Sequence, residues 1–439
     1  MYYKLLSHEQ FELSIIIALR KTLTIFSLNT QYHLWDRRSA NGKEQGFMKR
    51  HFDPDILRLM DRYQEIVASS KNQKRKTLWK DPHNWNRDMW RGIPVERTIQ
   101  SPVPFTIALD NSLWSHVLDY SLKDYYSDPE FFLKQQLRKA IFSFENFDDD
   151  TVYTNEFYIW FGVITELSIL GVPIEWFSNK EGWIKNRIIK DEADLAALSH
   201  PDFRTSGLMP KIHQYYEVLS EYAGERFSVM FPEWVRGPFC LAMHMRGVSE
   251  ILVDCMLEEE FVRKLLRFVT DSKKRWDKER TAFLGQKLTS CNLYNDEIDC
   301  PSISPDIYKN IIFPYEKELA DEYGSVKYWH SCGNTTIFQN QINKLTNLKL
   351  YHCGPWTDFG NAVKTMDRSV GIDLCVNPQK DVVEASEEQM RNQLKGIRET
   401  GRDAAYGVRA DAFMINGTYN ESLIKKIQSW SALARETFA

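Results

Sequence analysis

Short apolar segments alternate with amphipathic segments from residue 326 onward, and this alternation limits the possible folds more than any other feature. It predicts strands at 326–332, 348–353, 370–376 and 405–410, each followed by a helix, at 335–345, 358–366, 386–399 and 420–437. Short turns between strands and helices are typical of a parallel sheet. We therefore predict an α/β fold, a (β/α)8 TIM barrel. An open doubly wound sheet is the alternative, weakened because no glycine-rich phosphate loop is present.

The composition excludes some classes of function. The 439 residues carry a net charge of −4 with both signs mixed, which does not favour a nucleic-acid or anionic-membrane surface. The apolar run 13–19 is too short to span a bilayer and lacks a signal-peptide cleavage pattern, so we expect a cytoplasmic protein. Seven widely spaced cysteines favour free thiols or metal ligands over a disulfide framework.

Two parts are predicted along the chain. Residues 1–100 are expected to form an N-terminal helical extension and linker, because the polar stretch 71–81 and the tryptophan-rich stretch 84–94 precede the regular pattern. Residues 101–439 are expected to form the barrel. The segment 304–324 should be a helix that starts at Ser304 and Pro305, is kinked by Pro314 and ends at Gly324.

Histidine and cysteine residues lie at successive strand ends, which form the catalytic face of a barrel. His330 and Cys332 are two apart on one strand and face the same side, and Cys353 ends the next strand. Imidazole and thiolates suit zinc, although His-x-Cys alone is equally compatible with ordinary buried residues. Cys375 is open as a fourth ligand, a reserve ligand or a core residue. His352 has the opposite parity to Cys353 and should face the helices; a one-residue register shift would instead give a His2Cys site.

Three segments resemble the uroporphyrinogen decarboxylase superfamily, and most closely its zinc- and corrinoid-dependent methyltransferase branch: 235–266, 304–319 and 328–336, the last reading YWHSCGNTT. The resemblance implies a TIM barrel and zinc bound by His330 and Cys332. Cys353 resembles a further ligand position of the related zinc site in cobalamin-independent methionine synthase. Thiol-methylating members usually supply another cysteine near the last strand, but residues 405–417 contain none, so the rest of the ligand set stays open.

Other residues near the predicted strand ends are candidates for catalysis or substrate binding. Asp296 and Glu297 are expected to orient the substrate or donate a proton, and a simple turn cluster is the alternative. Arg236, Tyr294 and Asn334 are expected to contact the substrate, with structural pairing as the alternative for Arg236.

These features lead to one functional hypothesis and two alternatives. The hypothesis is a zinc-dependent methyltransferase that moves a methyl group between a corrinoid protein and either a methoxylated or methylamine-type small molecule or a thiol. One alternative is a metal-free decarboxylase-like enzyme acting on a tetrapyrrole or another carboxylate, although the arginine-rich motif of the decarboxylase branch is not found. The other is a non-catalytic barrel that binds a corrinoid. The sequence also leaves a homodimer open.

Overall fold

The computed structural model describes residues 52–80, 92–95, 101–413 and 421–439. Much of the predicted N-terminal extension, namely residues 1–51, 81–91 and 96–100, lies outside the described residues. The boundary at residue 100 therefore stays a prediction. Within the described part of that region, helices Pro54–Ala68 and Ser70–Lys76 are present, and the first begins at an Asp53 side chain that caps its amino end.

Parallel strands form the centre of the fold. The strands of the described chain are β1 Phe105–Leu109, β2 Glu156–Tyr158, β3 Ile174–Glu175, β4 Trp183–Ile184, β5 Ser228–Met230, β6 Cys291–Tyr294, β7 Val326–His330, β8 Leu350–Cys353, β9 Gly371–Val376 and β10 Tyr406–Phe413. Six of them pair in the order β1-β10-β9-β8-β7-β6, and every pair is parallel.

The remaining pairings follow the course of a barrel. Strands β2 and β5 form a second parallel pair, and a parallel bridge from Arg236 to Tyr294 connects the segment after β5 to β6. Strand β1, the first along the chain, pairs with β10, the last, as the first and last strands of a barrel do. Strands β3 and β4 form a separate antiparallel hairpin. The predicted α/β TIM-barrel fold is confirmed.

Helices cover the outside of the sheet. Besides the two at the amino end, the described helices are Asn111–Val117, Leu122–Tyr125, Pro129–Asn146, Thr165–Ile169, Glu192–Ala197, Met209–Ala223, Pro238–Arg246, Val248–Leu257, Glu259–Leu284, Pro305–Ile307, Phe313–Tyr323, Gln339–Ile342, Phe359–Thr365, Glu387–Thr400 and Glu421–Phe438. None of those described has the length and apolar character needed to cross a bilayer.

The helical segment after β6 begins and ends as the sequence predicts. The Ser304 side chain caps it, Pro305 occupies the first turn, and Gly324 follows the last residue with a φ of 84°. A π-helical turn, Tyr308–Ile312, lies just before Phe313–Tyr323, so the irregularity precedes Pro314. A π turn widens the backbone locally and changes which side chains face the barrel.

The barrel strands are buried on both faces. Strands β1, β8 and β9 have no exposed residue, because helices cover the outer side and side chains fill the inner side. On the outer side, Trp329 of β7 stacks on Tyr351 of β8 with ring centroids 5.9 Å apart. Parallel strands of this kind carry no alternation of apolar and polar residues to indicate which side faces inward.

Candidate metal centre

Three potential metal ligands meet where β6 and β7 end. His330 is the last residue of β7, Cys332 follows two residues later, and Asp296 lies in the turn after β6. These strands are neighbours, and the Asn295 amide donates to the His330 carbonyl at 2.7 Å, which fixes the turn against β7. One nitrogen, one sulfur and one oxygen from these three side chains all lie within 4.8 Å of one another. Among the described residues, this is the group of histidine, cysteine and acidic side chains that is compact enough to hold a metal ion.

The imidazole of His330 is oriented by a buried network on its other side. Tyr328 Oη lies 2.5 Å from Asp373 Oδ2 and 3.1 Å from His330 Nδ1. A carboxylate can only accept, so the tyrosine hydroxyl donates to Asp373 and its oxygen accepts from His330 Nδ1–H. Arg409 donates to the same carboxylate at 2.7 and 3.1 Å. Since Nδ1 is bound to Tyr328, Nε2 is the His330 nitrogen that can bind a metal once it carries no proton.

Nε2 of His330 lies 3.0 Å from Asp296 Oδ1 and 3.3 Å from the Cys332 sulfur. Burial alone would raise the pKa of Asp296, but His330 and then Arg236 outweigh it and hold that pKa well below its ordinary value. An imidazole, a carboxylate and a thiolate, each bound in its deprotonated form, fit zinc, which accepts nitrogen, oxygen and sulfur donors and often binds three protein ligands. Cys332 is exposed, so the site is open on that side.

A second polar cluster lies next to Asp296. The Arg236 guanidinium is buried and donates to both Glu297 oxygens, at 2.7 and 2.9 Å, while its other terminal nitrogen lies 3.7 Å from Asp296. His244 Nε2 and the Cys240 sulfur also contact Glu297. Burial, with a further contribution from Arg236, lowers the pKa of His244 to about 4, so the imidazole is neutral and donates to Glu297.

Strand β8 has the register opposite to the one predicted. His352, rather than Cys353, lies on the side of His330: the two imidazole rings stack with centroids 4.1 Å apart. The Cys353 sulfur lies 3.7 Å from the Thr357 carbonyl within the main apolar core. The inward placement of Cys353 is therefore wrong, and the shifted register is the one present. The physical reason is that all four residues of β8 are buried, so neither face is polar.

The other candidate residues have clear positions. Cys375 is buried on β9, with its sulfur 3.6 Å from the Val376 carbonyl, and it is not among the three grouped ligands. The Tyr294 ring packs against His330, with centroids 5.2 Å apart, and forms part of the wall of the site. Asn334 uses its side-chain oxygen to accept from Thr336 N and Oγ1, which fixes the turn that leads into Thr336–Phe338.

Sequence reasoning missed four residues around the site: Tyr328, Asp373, Arg409 and His244. The inward orientation of His352 was the alternative given for a shifted register. A signal existed for two of them, because Asp373 and Arg409 are charged residues inside otherwise apolar strands and are buried. A charge in such a position requires a partner. For His244 and Tyr328 no signal was available, because their partners come from distant parts of the chain.

Comparison with known proteins adds the family. No curated protein sequence matches the chain. A solved structure named as a methyltransferase from Methanosarcina mazei superposes with a TM-score of 0.55 over 79% of this chain and 94% of that chain, at 13% sequence identity. A likeness at this identity supports the fold alone. The sequence model of the family described as "Uroporphyrinogen decarboxylase (URO-D)" matches residues 115–408, more than half of the chain. The chain therefore belongs to the uroporphyrinogen decarboxylase family.

Proposed function

We propose that the protein is a zinc-dependent methyltransferase that moves a methyl group between a corrinoid protein and a small molecule. The single observation that carries this proposal is the group of His330, Cys332 and Asp296, in which the His330 Nε2 faces the other two ligands. The fold likeness to a protein named a methyltransferase agrees with it. The small molecule is a methoxylated or methylamine-type donor, or a thiol acceptor.

Zinc at this position would supply Lewis acidity, either lowering the pKa of a bound thiol or polarising the heteroatom that carries the methyl group. The residues around it have separate tasks. Tyr328 and Asp373 hold the tautomer of His330, and the salt bridge from Arg409 fixes Asp373. Exposed Cys332 marks the side from which the small molecule and the corrinoid of the partner protein approach.

Glu297 is the residue that we propose to hold or deliver a proton for the heteroatom that loses or gains the methyl group. Its carboxylate is fixed by two hydrogen bonds from Arg236 and by His244, and it is the chain neighbour of the metal-facing Asp296. A fixed carboxyl group beside a Lewis-acid site is suited to proton transfer. Arg236 then acts mainly by positioning Glu297, because its hydrogen bonds go to this cluster.

Substrate contacts are proposed for two further residues. The ring of Tyr294 lies against the metal-facing imidazole, so it is placed to pack against a small organic group at the site. The side-chain oxygen of Asn334 is committed to the turn that follows Cys332, so a substrate contact from this residue would come through the amide nitrogen.

The proposal is tested with metal analysis and a transfer assay on the purified full chain. We expect about one zinc per chain. With zinc loaded, methylcobalamin should be demethylated by a thiol, or cob(I)alamin should be methylated by a methoxylated or methylamine donor, and the visible spectrum of the corrinoid reports either direction. A chain that cannot be loaded with zinc contradicts the metal centre. A metal-independent release of CO2 from a carboxylate substrate would favour the decarboxylase alternative.

A further inference from the structure

We propose that His352 is a fourth metal-binding group, so that zinc without substrate is held by two histidines, one cysteine and one aspartate. This inference rests on the proposed metal function of His330, Cys332 and Asp296 and extends it by one residue. Three observations support it: the hydrogen bonding of the His352 ring, the position of that ring against His330, and the fact that the neighbouring polar residues already have other partners.

The hydrogen bonding of His352 fixes which ring nitrogen is bare. His352 Nδ1 lies 2.7 Å from the Ser331 carbonyl oxygen, which can only accept, so Nδ1 carries the proton. Nε2 then carries a lone pair, and it has no hydrogen-bond partner in the part of the chain that the structure describes. The side chain is 2% exposed, so water does not readily replace that partner. A buried acceptor without a partner destabilises the folded protein.

This arrangement is the one that metal-binding histidines usually have. A ligating imidazole nearly always donates its other N–H to a backbone carbonyl or a polar side chain, which orients the ring and keeps the second nitrogen bare. Both rings donate their Nδ1–H in this way, His330 to Tyr328 and His352 to Ser331, and in His352 the second nitrogen is without a partner among the described residues. A bound cation would satisfy the Nε2 of His352 and offset the cost of its burial.

His352 is also close enough to share an ion with His330. The two rings are 4.1 Å apart at an interplanar angle of 25°. Two nitrogens bound to one tetrahedral zinc lie about 3.3 Å apart, as follows from bond lengths of about 2.0 Å. His352 is outside the group of three ligands that lie within 4.8 Å, so a small side-chain movement is needed. Gly354 leaves room for it, because a Cβ there would lie 3.3 Å from His352 Cε1.

The other residues that could complete the ligand set have different partners. The Cys353 sulfur faces the core. Asp373 accepts hydrogen bonds from Tyr328 and Arg409, and Asp411 also pairs with Arg409. His352 differs from these because its donor atom is unused. Four protein ligands leave no open position on a tetrahedral ion. A substrate heteroatom would therefore take the place of His352, which is the one ligand outside the group of His330, Cys332 and Asp296.

X-ray absorption at the zinc edge tests this on the full chain loaded with one equivalent of zinc and no substrate. We expect two imidazoles, one sulfur and one oxygen in the first shell. One imidazole with one sulfur would overturn the role of His352 while leaving the proposed metal centre intact. Failure to bind zinc at all would overturn both, so the two failures are distinguishable.

A pair of matched variants provides a second measurement. In His352→Asn the side-chain amide can still donate to the Ser331 carbonyl, but the Nε2 donor is removed. We expect loss of one imidazole from the spectrum and a zinc affinity about 10- to 100-fold lower, measured by competition with a chelator. His213→Asn is the control, because His213 also contacts a backbone carbonyl, that of Phe203 at 3.2 Å, but lies outside the metal group. Equal zinc affinities for both variants would contradict the proposal.

Discussion

Replacing Glu316 by glutamine should remove a defined part of the pH dependence of stability. Glu316 is 1% exposed and accepts hydrogen bonds from Asn295 at 2.8 Å, Tyr308 at 2.9 Å and Trp329 at 3.0 Å. Burial, only partly opposed by these bonds, raises its pKa from 4.5 to about 7. The folded protein therefore holds a proton on Glu316 at pH values where the unfolded chain has lost it.

The direction and the size of the effect of pH on stability follow from the difference between the folded and unfolded pKa values of Glu316. A raised acid pKa contributes stability that is fully present below 4.5 and is lost as the pH rises through about 7. The difference of 2.5 units (7 − 4.5) corresponds to about 3.4 kcal/mol, of which about 2.5 kcal/mol is lost between pH 5 and pH 8. Glutamine carries no titrating proton, so in Glu316→Gln this share of the decline should be absent.

The amide should fit the site. Its oxygen can accept from Trp329 and Tyr308. Its nitrogen can donate to Asn295 Oδ1 after the Asn295 amide turns over, because Asn295 Nδ2 faces Glu316 and Oδ1 has no hydrogen-bond partner among the described residues. The measurement is the free energy of unfolding in urea at several pH values from 5 to 8, for the wild type and the variant. The quantity of interest is the difference between the two proteins, which should shift by about 2.5 kcal/mol in favour of the variant as the pH rises.

Glu181→Gln is an independent second case of the same effect. Burial also raises the pKa of Glu181 to about 7, but its hydrogen bonds go to Tyr126 and Asn111, which are not partners of Glu316. The two effects should therefore add in the double variant. If the stability of Glu316→Gln runs parallel to that of the wild type from pH 5 to pH 8, Glu316 is ionised in the folded protein and the reasoning is refuted.

Four further variants test the site and the residues that support it. Cys332→Ala should lose most of the bound zinc, whereas Cys353→Ala should keep the zinc and lose only folding stability. Metal analysis of both variants tests this, and loss of zinc from Cys353→Ala would show that the Cys353 sulfur reaches the metal. Tyr328→Phe should lower zinc affinity about 10- to 100-fold with little effect on the fold, measured by chelator competition, and an unchanged affinity would exclude the orienting role. Gly237→Ala should lower the unfolding free energy by about 1–3 kcal/mol or more, because its Cβ would lie 1.9 Å from Asn295 Oδ1; unchanged stability in urea would show that Asn295 can move away.

Sequence reasoning located one edge of the site well. His330 and Cys332 were identified because their spacing on a strand needs no knowledge of the rest of the fold, and the structure places their donor atoms together. Asp296 was expected to orient substrate or donate a proton, and its position beside His330 Nε2 adds a metal-facing role. The sequence indicates where the turn after β6 lies along the chain. It does not indicate how close Asp296 comes to His330, because that distance depends on the pairing of β6 with β7.

The orientation of strand β8 could not be obtained in the same way. Tyr351, His352 and Cys353 are all buried, so polarity does not distinguish the two faces, and one register differs from the other only in tertiary contacts. The network of Tyr328 with Asp373 has the same origin, since the two residues are on separate strands. Such contacts follow from the register of the sheet, which a single sequence specifies only weakly.

The pairing of β1 with β10 also has a consequence for biosynthesis. Phe105 is the partner of Val408, whereas strands β7 to β10 each pair with the strand made just before them. At roughly 5–20 residues per second, a ribosome needs about 15–60 s to travel between those two positions. During that interval the edge of β1 has no partner from the sheet, so a chaperone that shields this edge should raise the yield of folded chain more than one that acts after release.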